Sequence, residues 1–411
     1  MKFDIQDFGF SLTKRYKTFI LLLLFLSIVM GYIGRLSTSV ALDNIAADMN
    51  WSSSQQGGLG GVLLGIFLVS YGFSNIFFSP NIDKYGTKIT LTASISGWSF
   101  AIFLGAFFGG NYWVILFSRL LLGLAQGVLF PVANKVTAGW FEESKRGRAN
   151  SIFMSGGPVG VAIAPILMSP LIVFQSWELS FYIVALMGFA LSVPIILFVR
   201  DKPKGLIDFN VVKKRNLDIK KSLINLIKGR DFQSVLIGFT AVTTVWWGIS
   251  LWIPTYLIEV HDLNISEMSY RAAIPYMGAV IGMLIGSWIS DTKGHTKKII
   301  MSSLLMSALM IGFLTIFAIP HVNIAIFILF FVFLFGQMAP PLFFTMLQEE
   351  VSGERLGSAT GLMNGIGNGV GVLGPVTVGG VVAITHSYNA GLLSLSIIAL
   401  FGLITFYYFE K

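Results

Sequence analysis

Twelve stretches of this chain are apolar for the full length of a membrane helix, and few folds can accommodate that many. A bilayer core about 30 Å thick needs about 20 such residues per helix. The runs lie near 17–47, 57–80, 88–109, 112–139, 149–173, 179–199, 233–258, 269–290, 298–319, 322–346, 356–384 and 388–409. They are apolar almost all round, whereas barrel strands alternate, so a β-barrel does not fit. With 55% of residues hydrophobic and 12% charged, the chain reads as an all-α membrane protein whose main surroundings are a lipid bilayer.

Charge placement orients the helices. With the N-terminus assigned to the cytoplasm, 24 of the 28 Lys and Arg fall on the inner side, ten of them between Arg200 and Arg230. The others are Arg35, Arg119, Lys135 and Arg271. The positive-inside rule then predicts both termini in the cytoplasm and a multi-pass protein of the cell membrane. The net charge of +8 marks topology; it does not predict a nucleic-acid partner. The absence of cysteine excludes disulfides and thiolate metal sites. The first run is too long for a signal peptide and lacks a small-residue cleavage site, so it is expected to remain as a helix.

One polar stretch, 200–232, divides the chain, carrying ten basic and four acidic residues. It is expected to be a cytoplasmic linker between a six-helix bundle at 1–199 and another at 233–411. Within it, 218–229 can form an amphipathic helix on the anionic inner leaflet or be a solvated connection. The halves echo each other. SPNIDKYGTKI (79–89) follows the second run and SWISDTKGHTKKI (287–299) the eighth, each with a D-x-x-G element, Asp83 to Gly86 and Asp291 to Gly294. KRGRANSI (145–152) and ERLGSATGL (354–362) each open a Gly-rich helix. Parallel six-helix repeats around a central cavity describe an alternating-access carrier.

Arg35 and Arg119 stand inside apolar runs with no acid beside them. Charge near the midplane costs about 2.5–3.5 kcal/mol on insertion scales, so such residues face a polar cavity and serve a purpose there. A fixed cation in a cavity suits an anion, and the arginine fork matches the paired oxygens of a carboxylate or sulfonate. The competing reading is that an arginine only bonds backbone carbonyls or locks helices together. Arg119, Gly123 and Gln126 follow the i, i+4, i+7 spacing of one helix face about 10 Å long. Tyr32 and Ser39 lie about a turn either side of Arg35. Lys135, near the inner end of its run, is expected to snorkel.

The second half offers neutral partners. Trp246, Trp247, Trp252 and Tyr256 crowd the seventh run, which Pro254 is expected to bend; Tyr276 has a similar depth in the eighth. Asn364 and Asn368 are one turn apart among glycines and can bond substrate hydroxyls or neighbouring helices. Trp51, Trp113 and Trp177 are expected to be interfacial anchors. The substrate-binding set expected is therefore Arg35, Arg119, Tyr32, Gln126, Trp252, Tyr256, Asn364 and Asn368. Asp43, the one acid well inside a run, is either a coupling residue or a vestibule charge.

The six-plus-six layout and the D-x-x-G loops resemble the major facilitator superfamily over the whole chain. YIGRLSTSVALDNIA (32–46), SRLLLGLAQGVLFPVANKVTAGWF (118–141), WIPTYL (252–257) and GLMNGIGNGVGVLGPVTVGG (361–380) are similar to its anion:cation symporter branch, whose members carry hexuronates, galactonate, phthalate, sialic acid and glutamate. The resemblance implies gating by Asp83, Gly86, Asp291 and Gly294, with Asp83 facing the basic 142–148 loop. It also exposes two departures. Gly34 stands where the branch has Asp before the arginine, and Gln126 where it has Glu. Those acids are associated with proton coupling in relatives, so weak or atypical coupling is expected.

No P-loop, catalytic constellation or metal-ligand spacing is present. The expectation is a secondary or facilitative carrier of a small organic anion, monomeric, without cofactor and not an enzyme. The alternatives are an exporter of lipophilic compounds, or a non-transporting sensor on the same fold.

Overall fold

Apolar runs of helix length, each ended by a short polar turn, fold into helices because a bilayer leaves backbone N–H and C=O groups no partner but one another. The computed structural model describes residues 5–78, 82–141, 149–150, 152–200, 227–350 and 353–410. Every expected run falls on a helix long and apolar enough to cross a membrane: α1 (Arg15–Asp48), α2 (Ser53–Phe77), α3 (Thr87–Phe107), α4 (Tyr112–Thr137), α5 (Ile152–Phe174), α6 (Trp177–Phe198), α7 (Arg230–His261), α8 (Ile265–Ser290), α9 (Thr296–Ile316), α10 (Val322–Leu347), α11 (Ala359–Thr385) and α12 (Tyr388–Glu410). No strand occurs among the described residues.

The local signals work as helix chemistry requires. Side chains of Ser52, Asn111, Ser176 and Asn264 cap α2, α4, α6 and α8 by accepting backbone N–H bonds, and Gln55 and Glu267 complete capping boxes at two of them. Gly86 and Gly294, the last residues of the two D-x-x-G elements, have φ of 79° and 63°. Both occupy the left-handed region that a side chain resists, so the repeat survives in backbone geometry. The side chains of Asp83 and Asp291, the 142–148 loop and 201–226 lie outside the described residues.

The packing pairs the halves symmetrically. Helix α2 lies along α11, α5 lies along α8, and α1 meets α7. In a six-plus-six repeat, the first two contacts are images of each other. The α2–α11 contact is backbone-close: a Cβ on Gly57 would come within 2.8 Å of Gly379 O, and one on Gly61 within 2.9 Å of Pro375 O. Dispersion between close backbones, rather than hydrophobic exclusion, holds helices together in lipid, so the glycine stripe is what permits this seam.

The face holding the starts of even-numbered helices is shut. Ser54 Oγ donates to Ala383 O at 2.8 Å, and Ser39 Oγ to Leu251 O at 2.5 Å. Asp43 ties the same region together, accepting from Gln56 Nε2 at 2.6 Å and from Thr255 Oγ1 of α7 at 3.4 Å. Trp177 is a correction to the sequence expectation. It is 2% exposed and donates its indole N–H to Asp48, so it pins α6 to the end of α1 and does not lie in lipid. Trp113, 72% exposed, has the exposure an interfacial anchor needs.

Candidate functional site

A cavity of about 650 Å³ lies between the first six and last six helices, within the range of small-molecule sites. It runs from Arg35 towards the face that holds residue 230, the ends of even-numbered helices and the starts of odd-numbered ones. Asn75, Asn134, Asn150 and Thr360 line it at that end. Arg35 is the one charged residue among the described residues of its wall.

Two interrupted helices set the depth of the site. In α4 the hydrogen-bonded helix runs from Tyr112 to Gln126, and in α10 from Val322 to Gly336; each segment has 15 residues before it breaks. Helix resumes at Leu129 and at Pro340. The breaks sit at equivalent places in the two halves and leave Gln126 and Gln337 near one level. Broken helices at the level of a binding site are a recurring device of carriers.

Around Arg35 the contacts form a circuit through both halves. Its Nε donates to Gln126 Oε1 at 2.6 Å, and Gln126 Nε2 donates to Gly31 O at 3.0 Å. The guanidinium carbon lies 4.4 Å from the Tyr32 ring centre, 4.7 Å from Tyr71 and 5.7 Å from Trp247. Trp247 stacks on Tyr32 and donates its indole N–H to Asn368 Oδ1 at 2.8 Å. Asn368 Nδ2 donates to Asn364 Oδ1 at 2.9 Å, and Asn364 Nδ2 reaches the Tyr71 hydroxyl at 3.4 Å. Two buried donors on this wall have no acceptor, Arg35 Nη2 and Asn75 Nδ2. Buried donors are rarely left unpaired, and these two belong to residues that line the cavity.

Arg119 does different work. Its Nη1 donates to Gly34 O at 3.1 Å and its Nη2 to Arg35 O at 2.8 Å, with the Phe67 ring centre 4.7 Å from its guanidinium carbon. It clamps the α1 backbone from behind and is absent from the cavity wall. One turn on, a Cβ at Gly123 would lie 2.1 Å from Phe67 O, so only glycine lets α4 press this closely on α2.

The structure therefore brings Tyr32, Arg35, Asn364 and Asn368 of the expected set to the cavity. It places Gln126 behind Arg35 as its support. Trp252 and Tyr256 lie in the shut half, where Trp252 donates to Pro375 O and Tyr256 to Asn389 Oδ1. Tyr71, Asn75 and Gln337 were not singled out by sequence. Tyr71 and Asn75 are polar groups one turn apart inside the apolar run of α2, a signal that was present. Asp43 sits in the shut half between α2 and α7, away from the cavity wall, with Glu259 and Tyr388 as its further ionisable neighbours.

The Major Facilitator Superfamily model matches residues 24–375. The chain is 27% identical over 398 residues to the hexuronate transporter of Bacillus subtilis (strain 168), covering 93% of this chain and 92% of that one. It is 26% identical over 425 residues to the probable galactarate/D-glucarate transporter GudP of the same organism, covering 94% and 90%. Among solved structures it superposes on a bacterial homologue of the human lysosomal transporter Spinster, inward-facing and occupied, with TM-score 0.78, 18% identity and coverage of 96% and 97%. That last likeness speaks to the fold alone.

Proposed function

Because the chain belongs to the Major Facilitator Superfamily, we propose that it carries a small organic anion across the cell membrane by alternating access. The observation that carries this reading is Arg35, a lone charge in the wall of a central cavity, with three aromatic rings around its guanidinium and one buried N–H group unpartnered. Planar, always charged and prepositioned by Gln126, it offers an anion a charge-assisted hydrogen bond in a region of low dielectric. The names of the relatives, which refer to hexuronate and to galactarate or D-glucarate, support the same class of substrate.

The basic residues concentrated between 200 and 230 set the orientation by the positive-inside rule, with both termini in the cytoplasm. The cavity then faces the cytoplasm, the shut face is the outer one, and Asp43 belongs to the outer closure. Residues 1–199 and 233–411 act as the two bundles that rock about the site, joined by 200–232. The protein is a carrier and not an enzyme, working as a monomer. Proton coupling is weak: Gly34 and Gln126 flank Arg35 without an ionisable group, so facilitated diffusion or anion exchange is the leading mode. A thermal-shift screen of purified protein against organic anions, then uptake of each stabilising anion into liposomes, tests the proposal. Stabilisation by neutral or cationic lipophilic compounds alone would replace it with an exporter. Anion binding without flux would replace it with a sensor.

A further inference from the structure

From the charge inventory of the site we infer that the substrate is a monoanion with a neutral, hydrogen-bonding body, and that dianions of the same skeleton are disfavoured. This rests on the anion-carrier reading and narrows it. The relatives leave the matter open, since hexuronates bear one carboxylate while galactarate and glucarate bear two. The structure supplies the missing argument.

Two buried arginines suggest at first a site for two negative groups. Only one of them is available. Both terminal nitrogens of Arg119 donate to the α1 backbone, at Gly34 O and Arg35 O, its Nε–H is buried without an acceptor, Phe67 covers its face, and it is absent from the cavity wall. Releasing it would break two bonds that hold the α1 backbone carrying Arg35 itself. Arg35 in turn spends Nε on Gln126 and keeps Nη2 without an acceptor. The rest of the described cavity wall is uncharged.

Beyond the guanidinium, the polar side chains of the wall are amides and hydroxyls. Asn75 presents a buried, unpartnered N–H, and Asn134 and Thr243 lie along the same cavity. Such groups pair with hydroxyl or carbonyl oxygens and cannot neutralise a second carboxylate. That carboxylate would lose hydration beside Trp246 and Trp247 and gain no cation, and an unpaired charge in such surroundings is strongly disfavoured. The cavity is wide enough to keep some water, so the discrimination expected is about tenfold and not absolute.

D-gluconate and D-glucarate test this, because both are open-chain, share a carbon chain and stereochemistry, and differ in bearing one carboxylate or two. Binding of each to the purified full-length protein is measured by calorimetry at fixed ionic strength and neutral pH, with Arg35→Ala as a control. The expected result is D-gluconate binding tighter by about tenfold or more, with both signals lost in Arg35→Ala. Asn364→Lys and Asn134→Arg each add a cation to the wall and should close or reverse the gap. Equal or tighter binding of D-glucarate, dependent on Arg35, overturns the monoanion inference and leaves the carrier reading standing. Binding of neither acid, or binding indifferent to Arg35, overturns both.

Discussion

The two buried arginines are the instructive comparison. Both come from the first half, both are almost wholly buried at 1% and 2% exposure, and both lack an acid. Yet Arg35 is stacked against rings on a cavity, and Arg119 is bonded to backbone behind it. The difference lies in the neighbours that α1 and α4 present. Around Arg35, Tyr32, Tyr71 and Trp247 supply π faces, which attract a cation, and its Nη2 keeps no acceptor. Around Arg119, α1 presents two carbonyl oxygens, which take a bond from each terminal nitrogen and leave only the Nε–H, away from the cavity, without an acceptor. One arginine is thereby kept free for a ligand, and the other fixes the segment on which the first is mounted.

The largest effect expected from this contrast is at Arg35. Removing one member of a buried charge pair costs about 2–5 kcal/mol in binding, so Arg35→Ala should weaken anion affinity by about two orders of magnitude or more. Arg35→Lys should recover little, because an ammonium cannot reproduce the planar fork that Gln126 orients. Calorimetry on purified, folded variants checks both. Near-normal affinity in Arg35→Ala would remove the basis of the proposed function.

Arg119→Ala should show the opposite profile. Hydrogen bonds from charged donors contribute about 1.5–3 kcal/mol each, so the loss of two should lower the melting temperature and the yield clearly. Affinity in the surviving folded fraction should fall less than in Arg35→Ala. A stable Arg119→Ala protein that binds no anion would show that the two arginines act alike, and the contrast would be void.

Sequence reasoning reached part of this arrangement and missed part for physical reasons. Depth and helix face were legible: Arg119, Gly123 and Gln126 do share a buried face, and Asn364 and Asn368 do bond neighbouring helices, through Tyr71 and Trp247. Periodicity cannot say what that face meets, so the α4 stripe looked like a substrate surface although it presses on α1 and α2. Trp252 and Tyr256 failed to reach the cavity for a related reason. They occupy the half of α7 that is shut against α1, where Ser39 donates to Leu251 O and Thr255 to Asp43, and they bond within their own bundle to α11 and α12. Which half is open is a property of the conformation adopted, and one sequence serves both conformations. The D-x-x-G glycines were legible because their requirement is local.

A smaller effect is expected across the site, at Asn368. Its Oδ1 accepts from Trp247 and its Nδ2 donates to Asn364. Asn368→Ala frees the indole that stacks on Tyr32 and costs about 1 kcal/mol of positioning, which corresponds to about fivefold weaker binding. Affinity equal to wild type would confine recognition to the first-half residues around Arg35.

The smallest effect expected is at Asp43, and it bears on coupling. Gln126→Glu serves as its positive control: a carboxylate at that place would neutralise Arg35 when deprotonated, so anion binding in that variant should weaken as pH rises. Asp43 is remote from the cavity wall and ties the shut half together, as an acceptor for Gln56 and Thr255. Asparagine keeps one carbonyl oxygen for Gln56 and can turn its NH₂ to the Thr255 hydroxyl, which also accepts, so the bridge between α2 and α7 survives without the charge. Asp43→Asn should therefore leave liposome flux within about twofold of wild type, since an exchange that keeps both hydrogen bonds leaves no buried group unpaired. The same variant would behave otherwise if Asp43 were the proton carrier. Uphill uptake driven by an inward proton gradient in the wild type, and lost in Asp43→Asn while downhill flux persists, would overturn weak coupling and place a proton site in the closure that Asp43 ties together. It would also make that closure, and not the cavity, the place where this chain replaces the acids absent at Gly34 and Gln126.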